Sequence, residues 1–244
     1  MPLFAILTLF PEAIEPYLAA SILGLARERG LVRVLTVDFR DFTRDRHRTV
    51  DDRPFGGGPG MVLRPEPIAE AVEWLEAKHG SFRKLAMCPG GSPFRQALAE
   101  ELVAHERVLI LAGRYEGFDE RVREALGFEV VSVGDFVLSG GELPALCVVE
   151  AVARLLPGVL GDEESALRDS FTGGANLLDH PHYTRPRVWR GKEVPEILLS
   201  GDHAAIDRWR RAAAIARTRA LRPDLFGRAA SPSAASAPPP PPAH

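Results

Sequence analysis

The chain has 244 residues, of which 45% are hydrophobic and 26% charged, a composition typical of a globular protein. No apolar run approaches the roughly 20 residues that a membrane-spanning helix needs, and the N-terminal segment is predicted to be a buried strand rather than a signal peptide. The two cysteines, Cys88 and Cys147, are too few for a disulfide framework, which predicts a reduced cytoplasmic protein.

Short apolar runs alternate with helical segments over the first 156 residues. The predicted strands are residues 3–10, 31–39, 82–88, 107–112 and 128–134, and the predicted helices are residues 11–30, 66–80, 94–105, 118–127 and 143–156. This alternation predicts an α/β domain over residues 1–160 with a mainly parallel sheet. Taken alone, the pattern favours an unknotted, doubly wound sheet.

The C-terminal third has a different character. Pro157 and Gly158 end the α/β domain, and the polar residues 161–175 are predicted to be a flexible linker. In a predicted helical domain at 176–228, residues 202–221 form an amphipathic helix. Its apolar stripe comprises Ile206, Trp209, Ala213, Ala216 and Ala220. The proline-, alanine- and serine-rich residues 229–244 are predicted to be disordered.

The net charge of −3 hides an asymmetry between these parts. Residues 1–175 contain 19 basic and 27 acidic residues, a net charge of −8, whereas residues 176–228 contain 11 basic and 6 acidic residues, a net charge of +5. This asymmetry favours a polyanion as the partner of the C-terminal part, although a solvated helix gives a similar pattern.

Three glycine-bearing loops each follow a predicted strand: residues 88–93 (CPGGSP), 112–120 (AGRYEGFDE) and 133–142 (VGDFVLSGGE). Loops after parallel strands emerge at one edge of the sheet, where ligands bind. The last loop lacks the GxGxxG pattern, and the carboxylates of Asp135 and Glu142 would repel a pyrophosphate. The glycine-rich residues 55–61 lack the Gly-Lys-Ser/Thr of a phosphate loop, which argues against a nucleotide hydrolase. An uncharged or cationic organic ligand fits better, although tight turns alone would explain Gly140 and Gly141.

Several segments carry a specific resemblance, namely LAGRYEGFDERV, SVGDFVLSGGELPALCVVEAVARLLPGVLG, LLDHPHYTRPRVW and DDRPFGGGPGM. From about Met1 to Phe226 the chain resembles the bacterial tRNA (guanine-N1-)-methyltransferase family of the SPOUT class. The resemblance implies a deeply trefoil-knotted α/β domain that binds S-adenosylmethionine, a small helical C-terminal domain that binds tRNA, and a homodimer. It also implies methyl transfer to N1 of the guanosine immediately 3′ of the anticodon. The alternative is a non-catalytic RNA-binding protein of the same fold.

The resemblance extends to partners and to individual residues. It implies a magnesium dependence without a readable cation site, and neither a membrane nor a DNA partner is expected. Residues implied in cofactor binding are Pro89, Gly90, Gly113, Tyr115, Glu116, Gly117, Ser132, Val133, Gly134, Asp135, Phe136, Val137, Leu138, Gly140, Gly141 and Pro144. Residues implied in tRNA binding are Arg44, Arg46, Arg48, Arg53, Phe55, Gly58 and Gly60.

Two residues match the catalytic positions of the family. Asp169 resembles the general base that removes the guanine N1 proton, and Arg154 resembles the arginine that stabilises the charge developing on O6. Without the resemblance, Asp169 would be read as a helix cap or a solvated side chain, and Arg154 as an exposed helix arginine.

The chain departs from the family pattern at some positions. Phe55 replaces a more usual tyrosine, and Cys88 stands where the family often has serine. His180 and His182 raise a metal-site hypothesis, but the intervening proline and the lack of a nearby cysteine favour a structural turn.

Overall fold

The computed structural model describes residues 1–161, 169–172 and 176–227. The chain divides into two compact units, Met1–Glu163 and Glu164–His244. The predicted tail at 229–244 and most of the predicted linker at 161–175 lie outside the described residues. In the described part of the chain, no helix has the length and apolar character needed to cross a membrane.

A five-stranded parallel sheet forms the centre of the first unit and confirms the predicted α/β class. Its strands are β1 (Leu3–Thr8), β2 (Arg33–Asp38), β5 (Arg83–Pro93), β6 (Arg107–Ala112) and β7 (Glu129–Ser132), in the order β2-β1-β6-β5-β7. All four neighbouring pairs are parallel. Two short strands, β3 (Asp51–Asp52) and β4 (Val62–Leu63), form a separate antiparallel pair.

Helices cover both faces of this sheet, because alternate strand residues point to opposite sides. The helices are α1 (Pro11–Leu18), α2 (Ser21–Glu28), α3 (Pro65–His79), α4 (Gln96–Val103), α5 (Glu120–Leu126) and α6 (Glu142–Ala153). On β1, Phe4 and Ile6 pack in a core with α1, α2, α4 and α6. The alternate residues Leu3, Ala5 and Leu7 pack in a second core with α3 and α5.

The predicted continuous helix at 11–30 is wrong, because the chain breaks between α1 and α2. Ser21 has φ 52°, outside the helical region. Gly24 allows the Ala19 carbonyl carbon to lie 2.6 Å from the position that a β-carbon would occupy. This close approach lets α2 take a new direction, and apolar periodicity gives no sign of it.

The predicted loop at 88–93 is also wrong, since these residues belong to β5. Met87 and Ser92 both pair with Val131 of β7, so residues 88–91 form a bulge in the middle of a parallel strand. Gly91 lies so close to β7 that a β-carbon would be 2.5 Å from the carbonyl carbon of Val130. Of the two glycines that indicated a turn, Gly91 therefore serves a close approach between strands.

The second unit contains one long helix and one hairpin among its described residues. Helix α7 (His203–Leu221) begins at Asp202, whose side chain accepts a hydrogen bond from the Ala205 amide. Strands β8 (Val188–Trp189) and β9 (Lys192–Glu193) form the antiparallel hairpin. Short 3-10 helices occupy Glu196–Leu199 and Pro223–Gly227.

The predicted apolar stripe of α7 is correct at Ile206 and wrong at Ala216 and Ala220, which are exposed. The side chain buried on the C-terminal half of the helix is that of Thr218. Its hydroxyl donates to the Ala214 carbonyl and accepts from the Leu178 amide at 2.9 Å. A polar residue can be buried here because both of its hydrogen-bonding roles are filled.

Candidate functional site

A cavity of about 670 Å³ opens at the bulge of β5 and the carboxyl ends of β6 and β7. These three strands are neighbours in the sheet, so the segments that follow them meet at one edge. All of the residues predicted to bind the cofactor line the cavity except Asp135, which is exposed and does not line it. The lining also includes residues that were not predicted, namely Met87, Cys88, Arg114, Phe118, Glu120, Arg123, Val130, Val131 and Ser139.

The cavity wall after β6 has an unusual backbone. Tyr115 takes φ 59°, a left-handed conformation that is uncommon for a large side chain, and Gly117 takes φ 107°. The Gly117 amide donates to the Arg114 carbonyl and closes this turn at 3.0 Å. The side chains of Tyr115 and Phe136 are 57% and 55% exposed, so two aromatic rings at the cavity face solvent.

Two cavity segments are joined directly to each other. The Gly141 amide donates to the Gly113 carbonyl at 2.8 Å, and Arg114 and Gly140 form an isolated antiparallel bridge. Gly141 has no room for a side chain, because a β-carbon would lie 2.7 Å from the Ala112 Cα. The segments after β6 and before α6 therefore hold each other in place through their backbones.

A buried carboxylate reinforces this junction. Glu142 is 4% exposed and accepts hydrogen bonds from the Thr8 hydroxyl at 2.8 Å and from the Arg114 Nε at 3.1 Å. The Arg114 guanidinium also lies 4.4 Å from the centre of the Phe10 ring, a cation–π distance. We call these side chains the Thr8–Glu142–Arg114 cluster. It connects the end of β1, the segment after β6 and the first turn of α6.

The glycine-rich segment at 55–61 meets the same cavity wall. The Glu116 amide donates to the Met61 carbonyl at 3.0 Å, and the Leu63 amide donates to the Gly117 carbonyl at 2.9 Å. The Glu116 carboxylate occupies the space that a β-carbon at Gly60 would need. The structure thus brings Gly60, predicted to bind tRNA, next to Glu116, predicted to bind the cofactor.

The basic residues that are predicted to bind tRNA lie on the surface beside this glycine-rich segment. Arg46, Arg53 and Gly58 are exposed, and Phe55 is fully exposed. Arg44 forms an ion pair with Glu70 at 2.8 Å, and Arg48 pairs with Asp41 and Asp38. The acidic partners offset part of the positive charge that the sequence suggested for this surface.

The two predicted catalytic residues belong to different units. Arg154 is half-buried, follows the last residue of α6, and donates its amide to the Glu150 carbonyl. Asp169 lies in the second unit, where its carbonyl accepts a hydrogen bond from the Thr172 hydroxyl at 2.7 Å. Neither unit by itself contains both residues.

The histidines of the metal-site hypothesis converge on one carboxylate. Asp179 contacts His180 Nδ1 at 2.5 Å and His182 Nε2 at 2.8 Å. Desolvation raises the pKa of Asp179, but the hydrogen bonds from His182 and His180 outweigh it, so that the net pKa is lowered. This pairing gives both imidazoles a structural role. The ligand atoms of Asp179, His180 and His182 are also close enough together to hold a metal ion.

The fold and cavity define the class of protein: an α/β protein with a glycine-lined cavity at the carboxyl edge of a parallel sheet, where ligands of such folds bind. The family model described as tRNA (Guanine-1)-methyltransferase TrmD matches residues 3–228. The chain therefore belongs to this family.

Curated relatives agree with this assignment. A tRNA (guanine-N(1)-)-methyltransferase from Anaeromyxobacter sp. (strain Fw109-5) is 55% identical over 92% of this chain and 90% of its own length. Proteins with the same name are 55% identical in Myxococcus xanthus, over 91% of this chain and 90% of theirs, and 52% identical in Bacillus licheniformis, over 90% of both chains.

Proposed function

We propose that the protein transfers a methyl group from S-adenosylmethionine to N1 of the guanosine immediately 3′ of the tRNA anticodon. The observation that carries this proposal is the cavity formed by segments of three adjacent strands, within a chain that matches the methyltransferase family over residues 3–228. The names of relatives that are 52–55% identical support the same activity over a non-catalytic role in RNA binding.

The cavity residues fit the proposed cofactor. A volume of about 670 Å³ lies within the range of small-molecule sites. Gly113, Gly134 and Gly140 have no side chains of their own, so their backbones can come close to an adenine ring. Leu138 and Pro144 supply apolar surface for the ring faces. The carboxylate of Glu116 favours a positively charged sulfonium over an anionic ligand.

When it is bound, S-adenosylmethionine supplies an electrophilic methyl group. The protein's own part is to prepare the guanine. Asp169 accepts the N1 proton as a general base, a role that a carboxylate within hydrogen-bonding reach can fill. Arg154 stabilises the negative charge that develops on O6 as the proton leaves. The reaction then needs neither a covalent enzyme intermediate nor a nucleophilic cysteine.

The tRNA is held by two basic regions in this proposal. Arg44, Arg46, Arg48 and Arg53 contact phosphates beside the glycine-rich segment, and the arginines of α7 contact phosphates from the second unit. Phe55 offers a fully exposed ring for stacking on a base. Gly58 and Gly60 allow the target base, turned out of its stack, to approach the backbone closely.

The finer architecture is part of the same proposal. The proposed trefoil knot is supported by the match to the family model over residues 3–228. A homodimer is supported by the exposed apolar side chains of Tyr17, Leu25 and Leu143 on α1, α2 and α6. We place the enzyme in the cytoplasm, where tRNA is its substrate.

The decisive experiment measures transfer of labelled methyl groups to tRNA. We expect wild type to methylate a tRNA with guanosine 3′ of the anticodon and not one with adenosine there. Asp169→Ala should lower the rate at saturating substrates about 100- to 10,000-fold, the usual contribution of a general base. Asp207→Ala, at an exposed aspartate of the same unit, is the matched control and should keep the rate.

The outcomes separate the two functions. Binding of both S-adenosylmethionine and tRNA by wild type without any methylated product would establish the non-catalytic alternative. Full activity of Asp169→Ala would overturn the assignment of the base while leaving the methyltransferase activity in place.

A further inference from the structure

The hairpin of the second unit ends in a tight turn. Trp189 of β8 pairs with Lys192 of β9, and the two residues between them, Arg190 and Gly191, have φ values of 51° and 72°. Positive φ at both loop positions is the signature of the tight turn whose twist matches a β-hairpin. The Val194 amide also donates to the Arg187 carbonyl at 3.0 Å and extends the ladder. The backbone of the tip thus forms a tight two-residue turn closed by paired strands.

This tip exposes a large aromatic ring. Trp189 is 61% exposed, although tryptophan is usually well buried. The guanidinium carbon of Arg190 lies 4.8 Å from the centre of the indole ring, which places a cation against the π-system. The exposed indole therefore offers a flat aromatic face on which a planar group of another molecule can stack.

The charge around the ring selects the kind of partner. Residues 185–196 contain four basic residues, namely Arg185, Arg187, Arg190 and Lys192, and two acidic ones, Glu193 and Glu196, of which Glu196 lies 3.9 Å from Arg187. An aromatic ring beside cations suits unpaired RNA, since a base can stack on the ring while the cations contact phosphates. A hairpin closed by a tight turn also favours RNA binding, because it loses little conformational freedom when the RNA binds.

We propose that the indole of Trp189 stacks on an unpaired nucleobase of the tRNA, with Arg190 and Lys192 contacting the adjacent phosphates. This inference rests on the proposed function for its choice of RNA. It assigns a base-stacking position to the second unit, separate from the exposed ring of Phe55 in the first unit.

Another tryptophan offers an internal control. Trp74 of α3 is 40% exposed, and the Lys78 ammonium lies 3.7 Å from its ring centre. Its helix is acidic, however, with Glu70, Glu73 and Glu76 nearby in sequence. Trp74 thus combines an exposed indole and a cation with three glutamates on its own helix.

The first test compares tRNA affinity among variants. Loss of one stacked base is worth about 1–3 kcal/mol, so Trp189→Ala should weaken tRNA binding about 5- to 150-fold, at tenfold per 1.36 kcal/mol. Trp189→Phe should recover most of the affinity, because it retains a stacking face. Trp74→Ala should bind tRNA like wild type, and S-adenosylmethionine affinity should be unchanged in all three variants.

Two further readouts report on the contact itself. In the double variant Trp74→Phe, Trp209→Phe, Trp189 is the sole tryptophan of the three in the chain, and tRNA should quench its fluorescence. Lys192→Gln should reduce the slope of log affinity against log salt by about 0.7–0.9, as expected for one lost phosphate contact.

Unchanged tRNA affinity in Trp189→Ala, or no quenching of Trp189 by tRNA, would overturn the proposal. A change of oligomeric state in Trp189→Ala, seen by sedimentation, would also overturn it by assigning the ring to a protein contact. If wild type binds tRNA without methylating it and Trp189→Ala loses that binding, the stacking proposal stands and the proposed activity fails. If wild type does not bind tRNA, both fail.

Discussion

Replacing Glu142 with glutamine removes the one negative charge in the Thr8–Glu142–Arg114 cluster. The Glu142 side chain is 6% exposed and Thr8 is fully buried, whereas the Arg114 side chain keeps 26% exposure. Glutamine has nearly the same shape and still offers a carbonyl oxygen to Thr8. The substitution therefore tests the charge on Glu142 with little change in packing.

The expected cost follows from these exposures. Breaking a fully buried ion pair costs about 3–5 kcal/mol, mostly because one charge is left without its partner. Solvent reaches part of Arg114, and the hydrogen bond from Thr8 survives, so we expect about 2 kcal/mol. For a unit of this size, that loss corresponds to a melting temperature lower by about 4–8 °C.

Chemical and thermal unfolding of the purified protein measure this loss. Glu73→Gln makes the same substitution at an exposed position of α3 and should leave stability within about 0.5 kcal/mol of wild type. A double-mutant cycle with Arg114→Gln isolates the interaction between the two side chains. If Glu142→Gln is as stable as wild type, or if the coupling energy is near zero, the view that Glu142 and Arg114 hold the cavity segments together is refuted.

Two more substitutions test close contacts in the two units. Gly91→Ala should cost at least about 1–3 kcal/mol in urea unfolding, because its β-carbon would overlap the Val130 backbone. Gly90→Ala should not, since the nearest atom, the Cys88 Sγ, lies 3.8 Å away; equal stabilities would contradict the bulge geometry. Thr218→Val should lower the thermal stability of the second unit by about 1 kcal/mol, because it leaves the half-buried Leu178 amide without its acceptor. Thr218→Ser keeps the hydroxyl and should lose less, and equal effects of the two would attribute the loss to packing.

Apolar periodicity predicted most of the sheet, because the strands of a parallel sheet are rich in apolar residues, most clearly the buried β1 and β6. Strand β6 was predicted at the residues it occupies, 107–112. The break at Ser21 was missed because Ala19, Ala20 and Ser21 all tolerate a helix. That break depends on how Gly24 packs against the Ala19 carbonyl, a contact that propensity does not register.

The candidate site was predictable to the extent that glycines mark it. The glycines located the segments that line the cavity. The side chains that hold these segments together contact each other over long sequence distances, and no local sequence pattern predicts such contacts. Glu142 and Thr8 are 134 residues apart, and neither belongs to a motif that predicts a buried hydrogen bond. Asp135 shows the opposite case, since it lies within a matching segment yet is exposed outside the cavity lining.

The position of Glu142 along the chain also sets the order of events during synthesis. All five strands of the sheet have been translated once Ser132 is added. The Glu142 carboxylate, which fastens the cavity, is added later with the rest of α6, and this helix is complete at Ala153. At ordinary translation rates these 21 residues take about one to four seconds. All five strands are thus made before the first turn of α6, which supplies the Glu142 carboxylate of the Thr8–Glu142–Arg114 cluster.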